Sequence, residues 1–352
     1  MKKALIVGII FLLLGVSINS SFAIDTVKEF IIPLNNGKTL YVGGSGLGNY
    51  SSIQDAIDNA TSGDTVFVYD DSAPYNENIL IDKSINLKGE ERDTTIIDGG
   101  IGKSVVNITA SWVNLSNFKL TNEGVNWWEH FGILISSPYT SVFNSIISLK
   151  EGIGVQIYSD CNTISNNTIS NNHYGIFLFE CSFNTVSHNI ILDHNIGIKF
   201  KKSDNNTFFQ NVINSNSAFG IDLNCWSHYN TFYENILSSN GMDGLHVNLC
   251  RHNTFYRNTI EYNKKGLTLL SSYYNTIKNN NFKGNLLHAR FDESILNTWD
   301  GNYWGRSRLI PKFIFGELCI LPSDLYFPGL YIPWVNIDWH PAKEPNDIGV
   351  GI

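Results

Sequence analysis

Residues 175–197 read Gly-Ile-Phe-Leu-Phe-Glu-Cys-Ser-Phe-Asn-Thr-Val-Ser-His-Asn-Ile-Ile-Leu-Asp-His-Asn-Ile-Gly. The stretch opens with alternating apolar residues, Ile176 and Leu178, the period-2 signature of a strand with one buried face. It continues through Asn184-Thr185-Val186 and Asn189-Ile190-Ile191 and returns to Gly197-Ile198 after 22 residues, ready to repeat. The motif Asn-Thr-apolar-x-x-Asn-x-apolar recurs seven times, starting at Asn162, Asn184, Asn206, Asn230, Asn253, Asn275 and Asn297, in steps of 22, 22, 24, 23, 22 and 22 residues. Three residues before each start stands Ser or Cys: Ser159, Cys181, Ser203, Ser227, Cys250, Ser272 and Ser294.

A fixed period near 22 with strand-like alternation specifies a solenoid of parallel strands, in which equivalent residues stack about 4.8 Å apart. The fold class that follows is all-β, a right-handed parallel β-helix. Two columns are apolar throughout and should point inward: Ile164 to Trp299, and Ile169 to Trp304. The Asn columns should lie at corners, where Asn tolerates left-handed backbone angles and stacked amides hydrogen-bond along the ladder. A Gly opens a further strand in each coil, from Gly154 to Gly266. About ten coils make a rod of roughly 50 Å.

Outward from the repeat the organisation changes. Residues 1–23 read as a signal peptide, with Lys2 and Lys3 before the apolar run Ala4–Val16 and cleavage expected after Ala23. Residues 24–78 form an N-terminal cap and first strands, residues 79–305 the β-helix, and residues 306–352 an irregular Pro- and aromatic-rich C-terminal cap and tail. Ser52–Ala60 carries Ile53, Ala56, Ile57 and Ala60 on one face and predicts a short capping helix. Residues 122–131 read as an inserted loop bearing Trp127 and Trp128.

The openings Thr39-Leu-Tyr-Val-Gly-Gly, Ser52-Ile-Gln-Asp-Ala-Ile, Gly63-Asp64-Thr65-Val66 and Ile96-Ile97-Asp98-Gly99 resemble the start of the pectin-lyase-like superfamily. The Asn-Thr repeats resemble the NosD-like β-helix family of exported proteins, over about residues 39–305. The resemblance implies the fold directly. For function it implies three classes: surface binding proteins, polysaccharide lyases, hydrolases or epimerases, and a copper-related maturation factor for a metalloenzyme.

The net charge of −8, with no run of Lys or Arg, excludes a phosphate-neutralising surface and thus a nucleic-acid partner. No apolar run of membrane-spanning length follows the signal segment, so an exported chain, secreted, periplasmic or at the cell surface, is expected. Polysaccharide or cell-envelope components are the expected partners. Five Cys, an odd number, and the separation of Cys181 from Cys250 by three coils argue against a disulfide framework.

The site candidates are columns. Lys199, Asp222 and His246 should project outward on three successive coils, with Asp222 placed to orient the His246 imidazole for general-base work; the plainer reading is a surface charge ladder. Phe209, Tyr233 and Tyr256 should form an outward aromatic strip, one ring per coil, as a saccharide platform together with Trp127 and Trp128; the plainer reading is rings stacked on one another. Arg257 should pair with Glu234 of the preceding coil. Asp193-His194-Asn195 resembles the Asp-Pro-His of alginate-modifying enzymes, without its Pro. The nine His form no column, the pairs His188/His194 and His246/His252 read as surface polar residues, and Met242 is the only Met besides Met1, so no metal ligands and no cofactor are expected. The reading favoured by the absence of catalytic signatures is a non-catalytic exported β-helix that offers a rigid face to carbohydrate or envelope proteins.

Overall fold

The computed structural model describes residues 37–124, 129–321 and 330–348. The expected signal segment and the pair Trp127 and Trp128 lie outside the described residues. Among the described residues three sheets wind around one core, with twelve, ten and twelve strands, all parallel except the last pair of the third. In each regular coil the chain passes through a short strand of the first sheet (Thr185–Ser187), one of the second (Ile190–Leu192) and a longer one of the third (Ile196–Lys201). Twelve strands rather than ten stack in the first sheet because Thr39–Val42 and Thr65–Val68, outside the clear repeat, already pair in parallel register.

The two inward columns are buried along their length. Phe208 stacks on Phe232 at 5.0 Å and Phe232 on Phe255 at 5.2 Å, so the rings follow the strand spacing. A buried aromatic gains roughly 0.5–1.5 kcal/mol from such a partner beyond its area. The Gly column is needed for space. A Cβ at Gly175 would meet the Gly197 carbonyl oxygen at 2.5 Å, and one at Gly197 would meet that of Gly220 at 2.6 Å.

The Asn ladders exist, with one correction to their geometry. The left-handed residues are those just before the ladder positions, such as Asn166, His188, Gln210, Glu234, Arg257 and Asn279, all with φ of 53–56°. The ladder Asn themselves turn inward and are buried. Asn211 shows why: its backbone N–H donates to Asn235 Oδ1 at 3.1 Å, and its Nδ2 donates to the carbonyls of Val186 and Phe209 and to Asn235 Oδ1. Burial forbids water from serving these turn groups, so the amide of the next coil must. The left-handed position faces outward and accepts many residue types.

A third ladder runs through Asn172, His194, Asn216, Asn240, Asn263 and Asn285 at the corner between second and third sheets, where the sequence reading saw none. His194, expected at the surface, is therefore buried. Its Nδ1 accepts from the Asn172 N–H at 3.0 Å and its Nε2 lies 3.0 Å from the Ile169 carbonyl. The neutral imidazole offers one acceptor and one donor, as the amide does. Burial drives its pKa down to about 4. The Ser/Cys column is a fourth ladder, in which Ser203 N–H donates to Ser227 Oγ and Ser272 N–H to Ser294 Oγ. None of the five Cys forms a disulfide.

At the N-terminal end the helix Ile53–Asn59 buries Ile53, Ala56 and Ile57. Ser52 caps it by accepting from the Asp55 N–H, and the Glu77 carboxylate accepts from the N–H groups of Ile53 and Gln54. At the other end, the tail expected to be irregular forms an antiparallel hairpin, Lys312–Leu321 with Leu330–Asp338, which extends the third sheet. Asp338, fully buried, accepts from Asn302 N–H, Asn302 Nδ2 and Trp304 Nε1. One carboxylate thus stands where the next ladder Asn would be and terminates the stack.

Candidate functional site: the outer face of the third sheet

The longer strands of the third sheet place Lys199, Asp222, His246, Thr268 and Arg290 in one outward column. Upstream it continues through Asn107, Leu134, Gln156 and Phe177. An outward column is ordinarily wet. This one is crowded: the Asp222 side chain is only 4% exposed and Lys199 21%. Beside it Ile153, Tyr174 and Ile196, also outward, form a buried apolar cluster with Phe131, Phe177 and Phe219.

The column does not work as the sequence suggested. Asp222 and His246 are register partners, yet Asp222 Oδ2 is taken by the Lys199 ammonium. The imidazole is oriented by a different acid, since His246 Nδ1 lies 3.1 Å from Asp243 Oδ2 three residues earlier. Its ring stacks on Phe219 at 4.7 Å, and Lys265 Nζ stands 3.7 Å from the other Asp243 oxygen. Tyr174 completes the group: Lys199 Nζ is 5.9 Å from its ring centre, and burial, with the Asp222 charge, pushes its hydroxyl pKa up. Asp243 is the residue that sequence reasoning missed. It occupies the strand position before the Gly, where the preceding coils carry Tyr174, Ile196 and Phe219, and that break in an apolar column was the available signal.

Four buried side-chain atoms of the column have no hydrogen-bond partner: Asn107 Oδ1, Gln156 Oε1, Asp222 Oδ1 and Thr268 Oγ1. A buried acceptor left unmade costs about 1–3 kcal/mol. Four such atoms recur along this one stripe.

The first sheet's outer face differs. Phe209 and Tyr233 stack in parallel at 5.0 Å and 4°, half-buried, with Tyr256 next in register. Two rings that cover each other leave edges, not faces, toward a ligand. Arg257 reaches Glu234 at 3.4 Å, as expected, and also donates to the Asp347 carbonyl. A longer set of rings, unseen in the sequence, lies at the corner between third and first sheets. Trp112 stacks on Tyr139 at 4.0 Å, and Tyr229, His252 and Tyr274 stack at 4.9 and 5.2 Å. All five residues have left-handed backbones, the outward corner position.

The family model described as periplasmic copper-binding protein (NosD) matches residues 57–243 and 227–308. Among curated proteins none matches the sequence. Among solved structures, the Azotobacter vinelandii mannuronan C-5 epimerase AlgE6 A-module is similar at 14% identity and a TM-score of 0.55, over 73% of this chain and 82% of that one. The periplasmic alginate epimerase AlgG is similar at 16% identity and a TM-score of 0.51, over 65% of this chain and 60% of its own. The Dettilon tailspike protein is similar at 13% identity and a TM-score of 0.55, over 75% and 62%. These likenesses are of fold.

The donors present do not fit copper. Among the described residues no three of His, Cys, Asp and Glu gather as a ligand set. Both nitrogens of His194 are bonded to backbone, and His246 is held by Asp243. Burial pushes the Cys181 and Cys250 thiols up to about 12, which keeps them protonated and poor ligands. His194, held in the ladder, is likewise withdrawn from outward chemistry, which parts it from the exposed Asp193 beside it.

Proposed function

The chain belongs to the NosD family of β-helix proteins, and from that premise we propose an exported protein that binds a polysaccharide along the outer face of its third sheet without cleaving it. The observation that carries the reading is the stripe of orphaned polar atoms from Asn107 to Thr268. Three of the four are carbonyl or carboxylate oxygens, which need donors; they lie under their neighbours, and rotation of these side chains on binding would bring them to the hydroxyl donors of a sugar. The stripe is flanked by apolar and aromatic side chains, Ile153, Tyr174, Phe177 and Phe219, suited to the apolar faces of sugar rings. Export is supported by the Lys2–Ala23 segment and by the word periplasmic in the family description. Binding without turnover is supported by Asp222, whose reactive oxygen is held by Lys199.

One observation favours a second reading, a polysaccharide-modifying enzyme. Asp243 holds the His246 ring as a general base is held, and the imidazole keeps 15% of its surface exposed. The test is a panel of envelope and plant polysaccharides offered to the purified protein. Binding that is lost in Asp222→Asn and kept in Tyr233→Ala, with no new reducing ends, unsaturated products or epimerised sugars, is the expected result. Product formation abolished by His246→Gln would replace this reading with the enzymatic one. Loss of binding in Tyr233→Ala alone would move the site to the first sheet.

A further inference from the structure

The third sheet ends in a basic corner. Its last strand of the coil series, Leu287–Asp292, pairs with Lys312–Leu321 only at Phe291–Gly316 and Asp292–Glu317. The start of the hairpin strand therefore splays away, and a cleft of about 310 Å³ opens, lined by Arg290, Lys312, Phe313, Phe315 and Glu317 among others; Lys312 stands at its edge toward His288, Arg306 and Arg308, which do not line it. Lys312 Nζ lies 5.8 Å from the centre of the Trp304 ring. His288 lies 6.4 Å from the same ring, and its Nε2 is so close to Gly305 that a Cβ there would meet it at 3.0 Å. Trp304 and Gly305 thus bring His288 and Lys312 together, and Arg306 and Arg308 follow directly in the chain, close enough for their charges to act on Lys312.

These four groups act on one another and on little else. Burial, then Arg308 and Arg306, lowers the pKa of Lys312; burial, then Arg306, lowers that of Arg308; burial, then Lys312 and Arg308, lowers that of His288. Among the described residues no carboxylate lies within ion-pairing distance of Arg306, Arg308 or Lys312. The nearby acids are engaged elsewhere: Asp338, the strand partner of Lys312, accepts from Asn302 and Trp304, and Asp292 holds Arg290 at 3.0 Å. Glu317 lines the cleft but does not pair with these cations. Two nitrogens of the group, Arg308 Nε and His288 Nδ1, are buried with no partner. In a chain of net charge −8, three unneutralised cations and two orphaned nitrogens in one partly desolvated corner are a cost with no internal offset.

We propose that this corner is an anion site: Arg306, Arg308 and Lys312, with His288 behind them, receive an oxyanion group. The Arg308 guanidinium is a planar donor group of the kind that takes two oxygens of a carboxylate, sulfate or phosphate, and Lys312 supplies a point charge. The group belongs either to a free inorganic anion or to a charged unit of a polymer lying on the third sheet. The site itself does not depend on the glycan reading.

The experiment is calorimetric titration of the full chain with inorganic phosphate, inorganic sulfate, polygalacturonate and uncharged dextran, at low and high salt. Binding of an anion, weakening with salt and weakened on the order of tenfold or more (about 1.4 kcal/mol) by Arg308→Ala and by Lys312→Ala but not by Lys150→Ala, is expected. Phosphate or sulfate alone would make it a free-anion site, and polygalacturonate alone a polymer site; both support the proposal. No anion binding, or anion binding unchanged in the two variants, overturns it. Where Arg308→Ala melts early, the exposed Arg306→Ala carries the test. Neutral glycan bound normally by Arg306→Ala but not by Asp222→Asn would separate failure here from failure of the binding face.

Discussion

The first and third sheets are built from the same coils, at the same spacing, yet their outer faces differ. The first is paved with Thr and with rings that cover each other, and its charged groups, Glu234 and Arg257, find each other across one coil. The third carries a near-buried Asp222, an Asp243–His246 pair and four orphaned polar atoms. A face whose groups satisfy one another is finished as structure. A face whose groups are buried but unmatched leaves its polar atoms to be satisfied from outside, as the proposed binding requires, and the difference follows strand length. The five- and six-residue strands bring two flanking columns around the central one and cover it, whereas the three-residue strands leave the outward side chains next to the corners, where Phe209 and Tyr233 are only half-buried.

Breaking the framework common to both faces should have the largest effect. Asn235→Ala removes the acceptor of the Asn211 N–H and the donor to Phe208, Tyr233 and Asn258, and should cost roughly 4 kcal/mol in urea unfolding. An unchanged midpoint would mean that water fills the ladder.

Next comes the acid response of His194. Its folded pKa, about 4, lies below the unfolded value near 6.5, so the unfolded chain takes the proton first. Stability should hold above pH 6.5 and fall as pH drops from there toward 4, by on the order of 3 kcal/mol. His194→Asn, which restores the ladder amide, should lack that loss, as paired melts at pH 7 and pH 4.5 would show.

The contrast between faces predicts two smaller effects. Asp222→Asn leaves the Lys199 ammonium without its anion and should cost about 1–2 kcal/mol, discounted because Lys199 is one-fifth exposed. Asp222→Leu with Lys199→Met should recover that loss while still failing to bind glycan. Tyr233→Ala should cost about 1 kcal/mol, one ring partner, and leave binding intact. If Tyr233→Ala costs more than Asp222→Asn and also abolishes binding, the two faces have been assigned the wrong way round.

Much of the architecture was legible because a solenoid writes its contacts into one local period. The inward columns, the Gly column and the Ser/Cys column all stand where their spacing put them. The third ladder was less visible because its His194 breaks the run of Asn, and imidazole replaces amide only through its two ring nitrogens. The Asn-before-Asn turn was misread since adjacent residues trade roles: the outward one takes the left-handed angle and the inward one the hydrogen bonds.

Site residues divide the same way. Periodicity alone determined that Lys199, Asp222 and His246 share a column, because register in a stacked coil follows from the repeat length. Which acid holds His246, which charge Asp222 meets, and that Lys312 and His288 meet at Trp304 beyond the last coil were decided only by the tertiary structure. Those contacts depend on side-chain rotamers, on the crowding of neighbouring columns and on the path of a non-repeating tail, none of which has a period to read.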